Sequence, residues 1–98
     1  MWQVLRTIVE QPAVQKAADK YSAKFPRFDE AWEALKWLLA RSGNTLGIWQ
    51  NVGATQYRVY VQASDELALT PEIWVVFTCS DDEVVIHGLE AREPDTKH

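Results

Sequence analysis

Ninety-eight residues, 47% hydrophobic and 24% charged with a net charge of −4, leave room for one domain around one core, because a chain of this length buries roughly two thirds of its unfolded surface. The balance excludes an intrinsically disordered or low-complexity chain. The longest apolar run, Ile73-Trp74-Val75-Val76-Phe77, falls far short of the roughly 20 residues that cross a bilayer, and Met1-Trp2-Gln3 starts no basic, apolar leader, so a cytoplasmic protein without a membrane partner is expected.

Cys79 is the single cysteine, and His87 and His98 are the only histidines. An internal disulfide and a cysteine-based metal site are therefore excluded. Valine and phenylalanine neighbours supply nothing to stabilise a thiolate, so Cys79 reads as a core thiol and not a nucleophile. The chain holds no His-Glu-x-x-His, no Gly-x-Gly-x-x-Gly and no glycine-rich lysine loop, and neither metal nor cofactor is expected. Charge is unevenly placed: residues 1–60 carry eight Lys and Arg against five Asp and Glu, whereas residues 61–98 carry two against nine. A surface devoted to phosphate contacts is usually basic, so the balance argues against general nucleic-acid binding while leaving room for a local basic patch.

Trp2 to Val9 reads as a central, two-sided strand, with Trp2, Val4 and Ile8 on one side and Leu5 and Val9 on the other. Pro12 fits the first turn of a helix, and Val14, Ala17, Ala18, Tyr21 and Phe25 follow at helical spacing until Pro26 stops it. A second helix follows from Phe28 through Ala31, Trp32, Leu35, Leu38 and Leu39, with Arg41 and Gly43 at its end. The Phe28/Trp32 stripe belongs to the core, whereas Trp37 lies off it and is either a second packing contact or a partner contact. Lys20, Lys24, Arg27, Lys36 and Arg41 form a solvated helical face, with partner or RNA contact as the alternative.

From Gly43 to Gln56 a Gly-, Asn- and Thr-rich connection surrounds Leu46-Gly47-Ile48-Trp49, with room for a short edge strand. Tyr57 to Ala63 alternates as a half-buried strand, Tyr57, Val59, Val61 and Ala63 on one side and Arg58, Tyr60 and Gln62 on the other. A loop opens at Ser64-Asp65-Glu66 and runs to Pro71. Glu72 to Cys79 is a central strand rich in Ile, Val, Trp and Phe. Ser80-Asp81-Asp82 then turns the chain so that Glu83 to Leu89 pairs back as a hairpin, with a charged tail from residue 90. Asp81, Asp82 and Glu83 lack the alternate spacing of a calcium loop and read as a solvated turn.

Helices bunched before a meander define a single α+β domain over residues 1–98, ordered strand, helix, helix, strand, strand, strand, with the helices packed on one face of a mainly antiparallel sheet. The expected core joins Ile73, Val75, Phe77 and Cys79 to Tyr57, Val59, Val61, Val84 and Ile86. The other face then gathers Arg58, Tyr60, Gln62, Trp74, Thr78 and His87.

With "YRVYVQ" at 57–62 and "IWVVFTCSDDEVVIHGLEARE" at 73–93 after a helical hairpin, the chain resembles the RelE/ParE superfamily of bacterial toxins over nearly its whole length. The resemblance implies the toxin of a type II toxin–antitoxin system, a metal-independent endoribonuclease that cuts mRNA on the ribosome, or in the ParE branch an inhibitor of DNA gyrase. A cognate antitoxin would silence it. By the same resemblance Arg58 matches a basic position on the first strand of the meander and Arg92 the basic position after the last one. His87 is the remaining acid or base, and Tyr60 and Trp74 contact substrate. Attack by a ribose 2′-hydroxyl needs a base, a cation for the charge on phosphorus and an acid for the leaving oxygen. Trp74 stands where the family normally has another arginine; an indole stacks on a base but neither neutralises a phosphate nor supplies a proton.

Each of these residues has an ordinary reading beside the catalytic one: Arg58 as a cross-strand charge partner, His87 as a polar sheet residue, Arg92 as an ion-pair partner. The acidic charge and Trp74 favour a second expectation, a non-catalytic interaction module of the same fold, whose face bears Trp74, Tyr60 and Trp49. An exposed edge strand in such a sheet suits an antitoxin strand or a second copy of the chain.

Overall fold

Two prolines and a glycine set the helical layer. The computed structural model describes residues 5–64 and 70–92. Pro12 occupies the first position of helix α1 (Pro12–Lys24), where its missing N–H is no loss. At Phe25, just before Pro26, the backbone turns extended with φ −114° and ψ 118°, as the steric demand of the proline ring requires. Helix α2 (Phe28–Ser42) carries Asp29 and Glu30 in its first turn and Arg41 in its last, each favourable to the helix dipole. Ser22 donates to Asp29 Oδ2 at 2.9 Å between the helices, and Tyr21 lies against Phe25 and Phe28 with ring centroids 6.2 and 5.8 Å apart.

Five strands form one mixed sheet: β1 (Thr7–Glu10), β2 (Ile48–Val52), β3 (Thr55–Gln62), β4 (Glu72–Cys79) and β5 (Glu83–Arg92), in the order β1-β5-β4-β3-β2. The α+β class and the helices on one sheet face agree with the sequence reading, and the fifth strand is β2, in the connection where an edge strand had room. β1 departs from its expected central position: it lies at the sheet edge, parallel to β5. It starts at Thr7, and Trp2 and Val4 fall outside the described residues, as do Asp65, Glu66 and His98. Gly53, at φ 62°, opens the two-residue turn between Val52 and Thr55, a backbone region that glycine enters without steric cost.

Phe28, Leu35 and Leu39 of α2 meet Ile73, Val75, Phe77, Val84 and Ile86 of the sheet, all fully buried, each contributing roughly 1.5–3 kcal/mol of apolar burial. Val14 of α1 joins them. Cys79, expected inside the core, is half-buried against its margin.

The register corrects one expectation outright. Arg58 stands opposite Phe77, Tyr60 opposite Val75 and Gln62 opposite Ile73, so these three point to the helical side. Val59 stands opposite Val76 and Val61 opposite Trp74, on the open side, because directly paired residues share a face. Alternation along Tyr57–Ala63 reports in and out only where one face is fully covered. The helices lie over β5 and β1, and the β2–β3 hairpin extends beyond them, so both faces of β3 remain partly solvated and amphipathic Arg58 and Tyr60 fit the inner one.

A β-bulge interrupts β5. Val76 pairs with Gly88 and Phe77 with Ile86, leaving His87 as the extra residue. Val84 and Ile86 before the bulge and Ala91 after it are all buried on the helical side. The strand runs on to Arg92, which therefore ends β5 and does not follow it.

Candidate functional site

The catalytic candidates occupy three separate environments. On the helical side, Arg58 places its guanidinium carbon 4.1 Å from the centre of the Trp49 ring and donates from Nη1 to the Leu46 carbonyl at 3.0 Å. Gly47 makes this possible: at φ 78° it brings the chain so close to Val59 that a Cβ would lie 2.6 Å from the Val59 carbonyl oxygen. Arg58 thus fastens the chain entering β2 to β3. Tyr60 lies on the same side, half-buried against the core.

On the open side, the bulge carries His87 toward β4 and β3. Its Nε2 is hydrogen bonded to Thr78 Oγ1 at 3.0 Å, and its ring meets Tyr57 edge-on with centroids 5.2 Å apart. At the far end of the same face, Trp74 donates from Nε1 to Glu72 Oε1 at 2.6 Å, the Arg92 guanidinium lies 4.5 Å above the Trp74 ring, and Arg92 is paired with Glu90. Cross-strand pairing of Trp74 with Glu90 and of Glu72 with Arg92 closes this cluster.

The structure therefore brings Trp74 and Arg92 together, sets His87 apart on the same face, and places Arg58 and Tyr60 through the sheet on the other. Five residue steps along β5 lead from His87 to Arg92, about 16 Å at strand rise. An acid, a base and a cation that serve one scissile phosphate each reach an atom of the same substrate.

Between the two polar ends the open face is apolar. Ile48, Val59 and Val76 form a cross-strand row that ends at Gly88, and Val85 and Val9 lie in the next row, beside Thr78. Ile48 and Val52 are 64% exposed, and Val61 and Val9 are also exposed. Sequence reasoning missed this surface because it assigned Val59 and Val61 to the core; the signal available was the uncharged "GIWQNV" segment, which makes a second strand beside β3 and continues its row. Of the aromatic residues expected on this face, Trp74 lies there half-buried, while Trp49 and Tyr60 lie on the other.

Trp37 is exposed on α2, beside a groove of about 310 Å³ lined by Leu5, Arg6, Glu33 and Lys36. Lys36, in the lining of that groove, bridges Glu10 of β1 at 3.5 Å and Glu33 at 3.0 Å. Among the described residues no group of three or more His, Cys, Asp or Glu is placed to hold a metal ion, and no helix is long and apolar enough to cross a membrane. Compared with protein-family models, with curated proteins and with solved structures, the chain matches none.

Proposed function

We propose that this protein is a non-catalytic interaction module with a RelE/ParE-like arrangement of elements, which takes up a partner polypeptide on the open face of its sheet. The observation that carries the reading is the apolar row Ile48–Val59–Val76, exposed at Ile48 and half-buried at Val59 and Val76, with exposed Val61 beside it, on a face that no helix covers among the described residues. Contiguous apolar surface rimmed by polar groups is characteristic of protein-binding sites. The rim here holds Glu72, Glu83 and Glu90 against Arg92, which suits a partner with an apolar strip flanked by basic residues. The contacts of the two arginines expected to act on RNA support the reading: Arg58 lies on Trp49 and donates to Leu46, and Arg92 lies on Trp74 and pairs with Glu90.

The second reading, an mRNA-cutting toxin held by an antitoxin, draws on one observation: His87, Trp74 and Arg92 do share the open face. Inducible expression in a bacterium, with growth and mRNA integrity followed together, separates the two. The interaction reading expects intact mRNA in the wild type and in Arg92→Ala alike. Growth arrest with mRNA cleavage that disappears in Arg92→Ala overturns it in favour of the ribonuclease.

A further inference from the structure

The two edges of the sheet are built differently. At the β1 edge the chain entering the strand is tied down: the Arg6 backbone N–H donates to the Ala40 carbonyl of α2 at 3.0 Å, Arg6 Nε donates to the Ser80 carbonyl at 2.8 Å, and Glu10 is bridged by Lys36. Charge and a covering helix are two standard protections of a sheet edge. The β2 edge has neither. All of Ile48–Val52 is exposed, and no strand or helix lies on its outer side among the described residues. From Arg41 to Arg58 no charged residue intervenes, and β2 itself contains no proline and pairs with β3 without a bulge.

The sequence of β2, Ile-Trp-Gln-Asn-Val, is complementary to itself when reversed. Antiparallel pairing of two copies with full overlap places the two-fold axis at Gln50. Ile48 then stands opposite Val52 of the second copy, and Trp49 opposite its Asn51. Paired residues share a face, so both Ile48–Val52 contacts lie on the open side, where Ile48 already continues the Val59–Val76 row. Trp49 remains on the helical side, held by Arg58. Electrostatics agree with a second copy as occupant: two chains of net charge −4 repel one another over most approaches, and an uncharged segment is where they meet without like charges opposed.

We propose that β2 is a self-pairing edge, through which two copies of this chain join antiparallel about a two-fold axis at Gln50 into one continuous sheet. The inference concerns the edge and the partner-binding reading the face; they share Ile48 alone, and Gln50→Lys and Val52→Glu test the edge without touching the Val59–Val76 row. Sedimentation equilibrium of the full chain tests it. The expected result is a species of twice the 11.2 kDa chain mass, not weakened by salt, which screens the repulsion between two chains of net charge −4. Gln50→Lys opposes two lysines at the axis and raises the dissociation constant about tenfold or more. Ile48→Lys and Val52→Glu each weaken pairing alone, but an equimolar mixture of the two regains it, because Lys and Glu then face each other in the proposed register. Far-UV circular dichroism confirms that each variant is folded. A wild type that stays monomeric at all accessible concentrations overturns the proposal, as does a dimer indifferent to these changes or a mixture that fails to recover.

Discussion

Arg92 and Trp74 form a stacked pair on adjacent strands, the guanidinium carbon 4.5 Å from the ring centre, with Glu90 and Glu72 engaging the polar group of each. The consequence is structural: this corner of the open face fastens β4 to β5 through side chains.

The pair predicts unequal losses. Arg92 and Glu90 have side chains 54% and 52% exposed, so solvent screens their ion pair and Arg92→Ala costs about 0.5–1 kcal/mol. Trp74→Ala also removes half-buried ring area and costs about 2 kcal/mol. Urea denaturation of the two single variants and the double variant measures both, with an expected coupling of about 0.5–1 kcal/mol.

The register on β3 and β4 predicts opposite responses to one charge. Val75 is fully buried on the helical side, and Val75→Lys introduces an unpaired charge whose desolvation exceeds the stability of a domain this size. Val59 lies on the open face, and Val59→Lys folds with its thermal midpoint lowered by no more than a few degrees. Near-UV circular dichroism distinguishes the two: packing signals vanish in the first and persist in the second.

Glycines test the hairpin. Gly47→Ala meets both a positive φ and the Val59 carbonyl at 2.6 Å, costing about 2 kcal/mol or more and loosening β2. Gly88→Ala meets only ordinary contact, with Val76 Cβ at 3.6 Å, and changes stability by about 0.5 kcal/mol or less. Chemical denaturation of both variants, with hydrogen exchange at residues 48–52 in the first, checks the contrast.

The helices were legible because their signals are local: Pro12, Pro26 and Gly43 punctuate two apolar stripes, and the observed bounds, Pro12–Lys24 and Phe28–Ser42, follow them. The β4–β5 hairpin was equally plain, since Ile73, Val75, Phe77, Val84 and Ile86 are apolar on the one covered face. The candidate site was less legible, for two non-local reasons. Which side of β3 faces the helices depends on how far the helical layer extends, and no periodicity within Tyr57–Gln62 encodes that. The bulge at His87 depends on pairing between strands, and it sets where the His87 side chain reaches. The sequence reading put Arg58, Tyr60, Trp74 and His87 on one face; the register divides them, with Trp74 and His87 on the open side and Arg58 and Tyr60 on the helical side.

The most direct measurement of the account places a photocrosslinking amino acid at Val59 on the open face, and in a separate chain at Lys20 on the helical layer, in cells of the native host. The predicted result is a discrete adduct with another polypeptide, identified by mass spectrometry, from position 59 and not from position 20. No adduct from position 59, or the same adduct from both positions, contradicts a partner-binding role for the open face.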